Sequence, residues 1–342
     1  MSETLDKTFF GIRRRFRFSL RELLIVTFVL SIPLAWLGRS YFRAQEEQAI
    51  IDQIENLGGQ VYFGYELKTL VNSQSRHEPP GPKWIRTLLG EHIFATVHRI
   101  RIPQNQLTDE IVAKLARLRA LESISLNSDQ VTGKSLGYIR RMPHLESLWL
   151  ESDKIQPEDL KKLVDFPSLT ILGLKGAAAS PQHLQQLPPL PRLKTLKISE
   201  SLATDEHLLP LSRFPQLRHL SLRNVPGVQF NDPTTFSELS LLRILEVFNG
   251  ELTDQSFRAL ASASNLDTLR VDKQSLTRQM LAQLNGHPKL RSLSFRQTNI
   301  NDDDLSALDD LPNLTSLSVV ATQVTSAGID AAKKRFPKLV AN

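Results

Sequence analysis

The sequence of 342 residues contains no cysteine, and aromatic residues make up only 7% of it. The absence of cysteine excludes disulfides, a cysteine nucleophile, thiolate metal sites and lipid attachment through cysteine. The phosphate-binding, dinucleotide-binding and nucleophile-elbow motifs (GxxxxGK[ST], GxGxxG and GxSxG) are also absent, and the eight histidines form no HxxxH pair. We therefore expect no enzymatic activity, no cofactor, no metal and no small-molecule substrate.

The positive charge is concentrated near the N-terminus. The formal net charge is +6, and residues 1–43 carry eight Lys or Arg against three Asp or Glu, a net charge of +5. The other 299 residues therefore have a net charge of only +1. A nucleic-acid-binding protein carries its excess Lys and Arg on the domain that contacts the phosphates. Because the excess lies beside an apolar segment instead, we expect no nucleic-acid partner.

An uncharged apolar segment, residues 23–37, follows the basic residues 13–17. Together with its flanking residues it extends over residues 18–38. A helix of this length nearly crosses the ~30 Å hydrocarbon core of a bilayer. We therefore predict a transmembrane anchor there. A cleaved signal peptide and a buried helix of a soluble protein are the alternatives, although Gly38, Arg39 and Ser40 make a poor cleavage site. The predicted anchor residues are Leu23, Leu24, Ile25, Val26, Phe28, Val29, Leu30, Ile32, Leu34, Trp36 and Leu37.

More arginines precede this segment than follow it, so the positive-inside bias predicts a single-pass protein with a cytoplasmic N-terminus and an exported remainder. The lipid bilayer is then one partner of the chain.

A domain of sequence repeats begins at residue 97, after an N-terminal cap. In this cap we expect Trp84, Ile85, Leu88 and Leu89 to cover the first repeat. The predicted domains are a basic cytoplasmic tail (1–17), the anchor (18–38), a juxtamembrane helix and short strand (39–66), a linker and N-terminal cap (67–96), and a repeat domain (97–342).

The pattern LxxLxL recurs ten times between residue 97 and the C-terminus. Every spacing is 24 residues except one of 25, and units of 20–29 residues that open with this pattern are typical of leucine-rich repeats. The copies start at Val97, Leu121, Leu145, Leu169, Leu193, Leu217, Leu242, Leu266, Leu290 and Leu314.

Each copy has the signals of a strand, a turn and a short helix. After the strand pattern, the helix begins with a Thr, Ser or Asn that is typical of a helix N-cap, and Asp often follows it. Pro usually ends the helix. No single unit buries its own apolar edge, so the copies must stack. The predicted fold is an α/β leucine-rich-repeat solenoid with a parallel sheet on its concave side, preceded by one transmembrane helix.

The repeats resemble bacterial leucine-rich repeats of the TDxxLxxLxxxPxL kind over residues 97–342. Three stretches within residues 12–96 (RRRFRFSLRELLIVTFVL, ENLGG and PPGPKWIRTLLGEHIF) resemble membrane-anchored leucine-rich-repeat proteins of planctomycete bacteria. The resemblance implies no catalytic residues. The ninth repeat position holds Asn only at Asn105, which departs from the usual pattern and argues against a continuous asparagine ladder.

The third, fifth and seventh positions of each copy project from the sheet face, where most residues are small or polar. Large aromatics beside cations are typical interface anchors, so we predict a binding surface on this face for a protein or another cell-envelope macromolecule. The alternative is that Trp149 and Phe248 only pack on neighbouring strands, over Gly173 and Ser221. The predicted surface consists of Trp149, Lys197, His219, Arg223, Phe248 and Arg270.

Two other functions compete with recognition. One is a structural envelope scaffold or self-associating spacer, and the other is a soluble substrate adaptor built on leucine-rich repeats. The predicted tether and the lack of an adaptor-docking helix domain disfavour the adaptor. The acidic run at residues 301–304 lacks the spacing of a calcium loop and is explained by its position at a helix start.

Overall fold

A computed structural model describes residues 20–64, 83–89, 95–208, 211–232 and 235–341. The predicted cytoplasmic tail lies outside these residues, as do residues 67–82 and 90–94 of the predicted linker and N-terminal cap. The chain forms two compact units: Met1–Gln48 with Gly81–Phe94, and Ala49–Pro80 with Ala95–Asn342.

The first unit contains most of a long apolar helix. This helix runs without a break from Leu20 to Asn56, and a second helix spans Lys83–Leu89. Leu24–Asn56 is long and apolar enough to cross a membrane, although a signal sequence would have the same features. Leu23 lies in the helix, but its side chain is not described. Among the other predicted anchor residues, Leu37 is half-buried and the rest are exposed.

The second unit is built on a sheet of twelve strands that follow one another in chain order. Strand β1 is antiparallel to β2, and every later strand is parallel to the one before it. The strands are β1 (Gln60–Phe63), β2 (Val97–Arg101), β3 (Ser123–Asn127), β4 (Ser147–Glu151), β5 (Ile171–Lys175), β6 (Thr195–Ser199), β7 (His219–Arg223), β8 (Ile244–Phe248), β9 (Thr268–Asp272), β10 (Ser292–Ser294), β11 (Ser316–Ser318) and β12 (Val340–Ala341).

The strands β2 to β11 lie at the ten predicted repeats, and the predicted leucine-rich-repeat solenoid is confirmed. The same repeat position pairs across neighbouring strands, as in Leu148 with Leu172 and Leu196 with Leu220. These leucines are at most 1% exposed, because each one is covered by its counterpart in the next copy. The last strand, β12, adds a further parallel strand that the ten-copy pattern did not include.

Short helices or helical turns complete most copies. The predicted N-caps are confirmed at Thr108, Thr132, Thr253, Thr277, Asn301 and Thr325, whose side chains accept backbone N–H groups of the first turn. The helices are Asp109–Leu115, Gly133–Ile139, Pro181–Gln185, Asp205–Leu208, Thr235–Glu238, Asp254–Ala261, Arg278–Ala282, Asp302–Leu305 and Ser326–Arg335, with 3-10 helices at Pro157–Asp165, Gly176–Ala179 and Leu211–Arg213.

The N-terminal end of the solenoid core is covered by residues 50–63. Ile50, Ile51 and Ile54 are buried in the same apolar core as the first repeat, and β1 pairs with β2. Trp84, which belongs to the first unit, is 69% exposed, and its covering of the first repeat stays a prediction. The structure does not describe the side chains of Ile85, Leu88 and Leu89.

The sixth copy, which starts at Leu217 and is the one with 25 residues, is tied to the fifth through Asp205. Its carboxylate accepts the backbone N–H groups of Gln229 and Phe230, both at 2.9 Å, and of Asn231 at 3.2 Å. Phe230 is buried, and its ring lies 5.2 Å from that of Phe236. The sixth copy therefore accommodates its one extra residue and still packs between its neighbours.

Candidate functional site

The open face of the sheet contains a broad groove of about 790 Å³. We call this the sheet groove. It crosses the strands from β1 to β7, and all of its lining residues belong to the second unit. The lining residues are Tyr62, Arg99, Ile100, Arg101, Ser123, Ser125, Ser147, Trp149, Ile171, Thr195, Lys197 and His219.

Trp149 lies in the middle of the sheet groove and covers the glycine of the next strand. Gly173 is its register partner, and a Cβ atom built on Gly173 would lie 2.2 Å from Cε3 of the Trp149 ring. On the following strand, Lys197 places its Nζ atom 5.7 Å from the ring centroid, within the range of a cation–π contact. Trp149 is still 36% exposed, so it packs on its neighbour and also presents apolar surface to the groove.

Three polar side chains form a chain of contacts across β7, β8 and β9. His219 Nε2 donates a hydrogen bond to Glu246 Oε2 at 3.0 Å, and Arg270 Nη1 donates to Glu246 Oε1 at 2.7 Å. The hydrogen bond from His219, aided by the positive charge of Arg270, lowers the pKa of Glu246 to about 2. Glu246 is therefore a carboxylate at neutral pH and compensates the positive charge of Arg270.

Phe248 lies between two cations at the end of β8. The Arg223 guanidinium carbon is 4.3 Å from the centroid of the Phe248 ring, and Lys273 Nζ is 5.0 Å from it. In the sheet register Phe248 pairs with Arg223 and Asp272, whereas Ser221 pairs with Glu246. Trp149 therefore packs over Gly173 as the alternative expected, while Phe248 is not the register partner of Ser221. That the two rings serve packing alone stays a prediction.

The structure divides the six predicted surface residues into two groups. Trp149, Lys197 and His219 line the sheet groove; Arg223, Phe248 and Arg270 do not line it. His219 connects the two groups through Glu246 and Arg270.

Sequence reasoning missed several residues of this face. Arg99 and Arg101 stand at outward repeat positions and could have been found from the pattern. Tyr62 could not, because it reaches the groove only through the antiparallel pairing of β1 with β2. Glu246 and Lys273 were missed because only the sheet register shows which cation or ring each one contacts.

A second, smaller basic pocket of about 330 Å³ lies at the residues that precede strands β7 to β10. Arg218, Lys289 and Arg291 line it, together with Arg243, which forms an ion pair with Asp267 at 2.9 Å. It lacks an aromatic side chain, and its volume is less than half that of the sheet groove.

The acidic run at residues 301–304 has structural partners. Asn301 and Asp304 cap the same helix reciprocally, and Asp302 accepts hydrogen bonds from Thr325 of the next copy. Across the part of the chain that the structure describes, no group of three His, Asp or Glu side chains is arranged to hold a metal ion.

Comparison with protein-family models gives no match, and neither does comparison with curated proteins. Among solved structures, the chain is similar to TLR13 in a TLR13–ssRNA13 complex, with 18% identity and a TM-score of 0.45 over 69% of this chain and 33% of that one. It is also similar to an internalin (InlF) from Listeria monocytogenes, with 16% identity and a TM-score of 0.38 over 75% of this chain and 92% of that one. The chain thus spans about a third of the length of the TLR13 chain.

Proposed function

We propose that this chain is a non-catalytic recognition protein, tethered to a membrane by its N-terminal helix, whose sheet face binds a protein or another cell-envelope macromolecule. The observation that carries the proposal is the placement of Trp149 in the sheet groove, 36% exposed and held in position over Gly173. An exposed ring that is already fixed by packing loses little conformational entropy on binding. Aromatic side chains flanked by cations are frequent anchors of macromolecular interfaces.

The shape of the groove supports a macromolecular partner. At ~4.8 Å between neighbouring strands, the seven strands from β1 to β7 span about 29 Å. A depression of this length, open along the sheet, suits an extended chain segment better than an enclosed small molecule, which is usually held in a pocket that buries most of its surface.

The tether rests on the exposed apolar side chains of residues 20–42 and on the basic residues 13–17 that precede most of them in the sequence. Trp36 and Tyr41, near the end of the predicted anchor, suit the membrane–water interface. We propose a cytoplasmic N-terminus and an exported repeat domain. The resemblance to membrane-anchored planctomycete proteins remains an expectation that agrees with this arrangement.

The tether is tested by extracting membranes from cells that produce the full chain with alkaline carbonate and by measuring the mass of the mature protein. We expect the protein to stay in the membrane pellet with residues 1–43 present. A protein that washes off contradicts the tether. A mature chain that has lost this segment shows a cleaved signal sequence.

Recognition is tested with a photoreactive amino acid at Ser125, an exposed residue in the sheet groove, in intact cells. The matched control carries the same amino acid at Lys161, an exposed residue in the Pro157–Asp165 helix outside the groove. We expect a distinct adduct with another macromolecule from Ser125 only, and its loss in the Trp149→Ala/Phe248→Ala double variant. Adducts with further copies of this chain alone would favour the scaffold or spacer.

A further inference from the structure

We propose that the partner segment that enters the sheet groove is an acidic peptide, whose carboxylates pair with Arg99 and Arg101 near one end of the groove and with Lys197 toward the other. This inference rests on the proposed recognition function and specifies the chemistry of its partner.

The lining of the groove is positively charged. Its lining contains Arg99, Arg101, Lys197 and His219 but no Asp or Glu. Arg99, Arg101 and Lys197 form no ion pair with any residue that the structure describes, and both arginines are exposed. These cations are therefore available to a carboxylate from outside.

Two cations elsewhere on the sheet have carboxylate partners, whereas Arg223 and Lys273 contact the ring of Phe248. Arg270 pairs with Glu246 at 2.7 Å. Lys175, at the end of β5, pairs with Glu151 at 2.7 Å and with Glu200 at 3.5 Å. The sheet groove thus carries positive charge without a carboxylate in its own lining, and a partner of complementary charge gains specificity and association rate there.

The spacing of the cations gives the length of the ligand. The cations of β2 and β6 are four strands apart, about 19 Å, which an extended peptide covers in about six residues. Trp149 and Ile171 lie on the strands between them and present apolar surface. The expected segment therefore has acidic residues about six positions apart with an apolar residue in between. Ser123, Ser125 and Ser147 offer hydroxyl groups for its backbone or its carboxylates.

A nucleic acid would have the right charge, but the chain favours a peptide. Most non-specific affinity for nucleic acids comes from neutralising many phosphates. Residues 44–342 have a net charge of only +1, and the groove supplies few cations separated by about 10 Å of neutral surface on either side of Trp149. A few separated carboxylates match this pattern better than a continuous polyphosphate.

The test measures fluorescence anisotropy with the full chain in a mild non-ionic detergent. The probe is a fluorescein-labelled nine-residue peptide with two glutamates at each end and leucine at its centre. The comparison probes are the same peptide with lysine in place of glutamate and an oligothymidylate of equal net charge.

The test variant is Arg99→Glu/Arg101→Glu, with Lys197→Glu as a second variant at the other end of the groove. The matched control is Arg218→Glu/Arg291→Glu, which reverses two exposed arginines of the smaller basic pocket. All of these positions are on the surface or half-buried, and circular dichroism verifies that each variant is folded.

We expect the acidic peptide to bind and the lysine peptide not to bind. Each groove variant should weaken acidic-peptide binding about tenfold or more, with the control within about twofold of the wild type. Tighter binding of the oligothymidylate, an equal loss in the control, or no peptide binding to the folded protein would each overturn the inference.

Photocrosslinking at Ser125 separates this inference from the function on which it rests. We expect Arg99→Glu/Arg101→Glu to reduce the macromolecular adduct in cells. An adduct that persists unchanged in this variant overturns the acidic peptide while recognition stands. The absence of any adduct in the otherwise unaltered chain contradicts recognition itself.

Discussion

The carboxylate of Asp109 is bound by Thr132, the N-cap residue of the helix in the following repeat. The Thr132 backbone N–H donates to Oδ1 at 2.9 Å, and the Thr132 hydroxyl donates to Oδ2 at 2.6 Å. Asp302 and Thr325 form the same pair of hydrogen bonds at 2.8 Å and 2.6 Å. The acidic residue at the helix start thus interacts favourably with the helix dipole, and its carboxylate also connects one repeat to the next.

The first prediction concerns the strength of this connection. Asp109→Asn removes one charge-assisted acceptor and should lower the free energy of unfolding by about 1–2 kcal/mol, since hydrogen bonds to charged groups are stronger than neutral ones. Asp129→Asn, at an exposed residue, serves as the control and should change it by less than about 0.5 kcal/mol. Urea unfolding of the full chain in detergent measures both. An equal loss in the two variants would contradict the inter-repeat role.

The second prediction is the pH dependence of the same pair. Burial alone raises the pKa of Asp109, but hydrogen bonds from Ser135 and Thr132 outweigh it, so the pKa lies below its ordinary value of 3.8. A carboxylate with a lowered pKa stabilises the fold above its unfolded pKa, and this stabilisation is lost as the pH falls through the folded pKa. The difference in urea midpoint between the wild type and Asp109→Asn should be constant at neutral pH and should shrink below about pH 4. A constant difference down to pH 2 would be the contrary result.

The third prediction concerns the buried histidine His287. Its Nε2 donates to the Ala263 carbonyl at 3.0 Å, and its Nδ1 accepts the Leu290 backbone N–H at 3.1 Å. Burial lowers the pKa of His287 below 6.5, although its bond to Ala263 acts in the opposite direction. Its stabilisation is therefore complete above about pH 6.5 and declines as the pH falls through the folded pKa.

Urea midpoints between pH 7.5 and 5 test this contribution. The wild type should lose stability over this range, and His287→Asn should lose less, from a lower starting value. His144→Asn is the control, because His144 is exposed, and it should keep the slope of the wild type. Parallel slopes for the wild type and His287→Asn would refute the prediction.

The fourth prediction compares two glycines of one helix, Gly133–Ile139. A Cβ atom on Gly133 would lie 1.9 Å from the Asp159 Cγ, whereas a Cβ on Gly137 meets nothing within 4 Å. Gly137→Ala should stabilise the protein by about 0.5–1 kcal/mol, because alanine is the better helix former. Gly133→Ala should destabilise it, because Asp159 must move away from its bond with Lys162. Changes of the same sign in both variants would contradict the packing described.

The fifth prediction concerns the ring in the sheet groove. Gly173→Ala should displace Trp149, since the ring occupies the space that the new methyl group needs. In a background where Trp36 and Trp84 are replaced by Phe, we expect the emission of Trp149 to shift to longer wavelength as its exposure rises. Ser147→Ala, a change on the strand of Trp149 itself, is the control and should leave the emission unchanged.

The repeat architecture and the helix caps could be predicted from the sequence because they are local and periodic. A leucine that returns every 24 residues requires a covering neighbour, and Thr108 or Thr325 at a helix start needs only its own first turn. The candidate site was predictable only in part. Trp149 stands out as an aromatic at an outward position, but its Gly173 partner and the contact between Lys273 and Phe248 depend on the register between strands.

Three of the left-handed residues that follow strands also had no local signal. Glu200, Lys273 and Gln297 adopt φ values of 54–56°, which cost most non-glycine residues about 1 kcal/mol or more. Each of them donates its backbone N–H to a carbonyl of the next repeat: Glu200 to Arg223 at 2.8 Å, Lys273 to Arg296 at 3.0 Å, and Gln297 to Val320 at 2.9 Å. These bonds between repeats maintain a conformation that the residue types alone do not favour.

The sequence by itself determined that the chain stacks as a solenoid, because apolar residues at a constant interval lose contact with water only against their own counterparts. It also determined which residues face outward on each strand, because side chains alternate along a strand. Only the tertiary structure decided that residues 50–63 close the N-terminal end of the core and that Asp109 binds Thr132. It also decided which cations of the sheet lack a carboxylate, since an ion pair between repeats depends on the distance between side chains about two dozen residues apart.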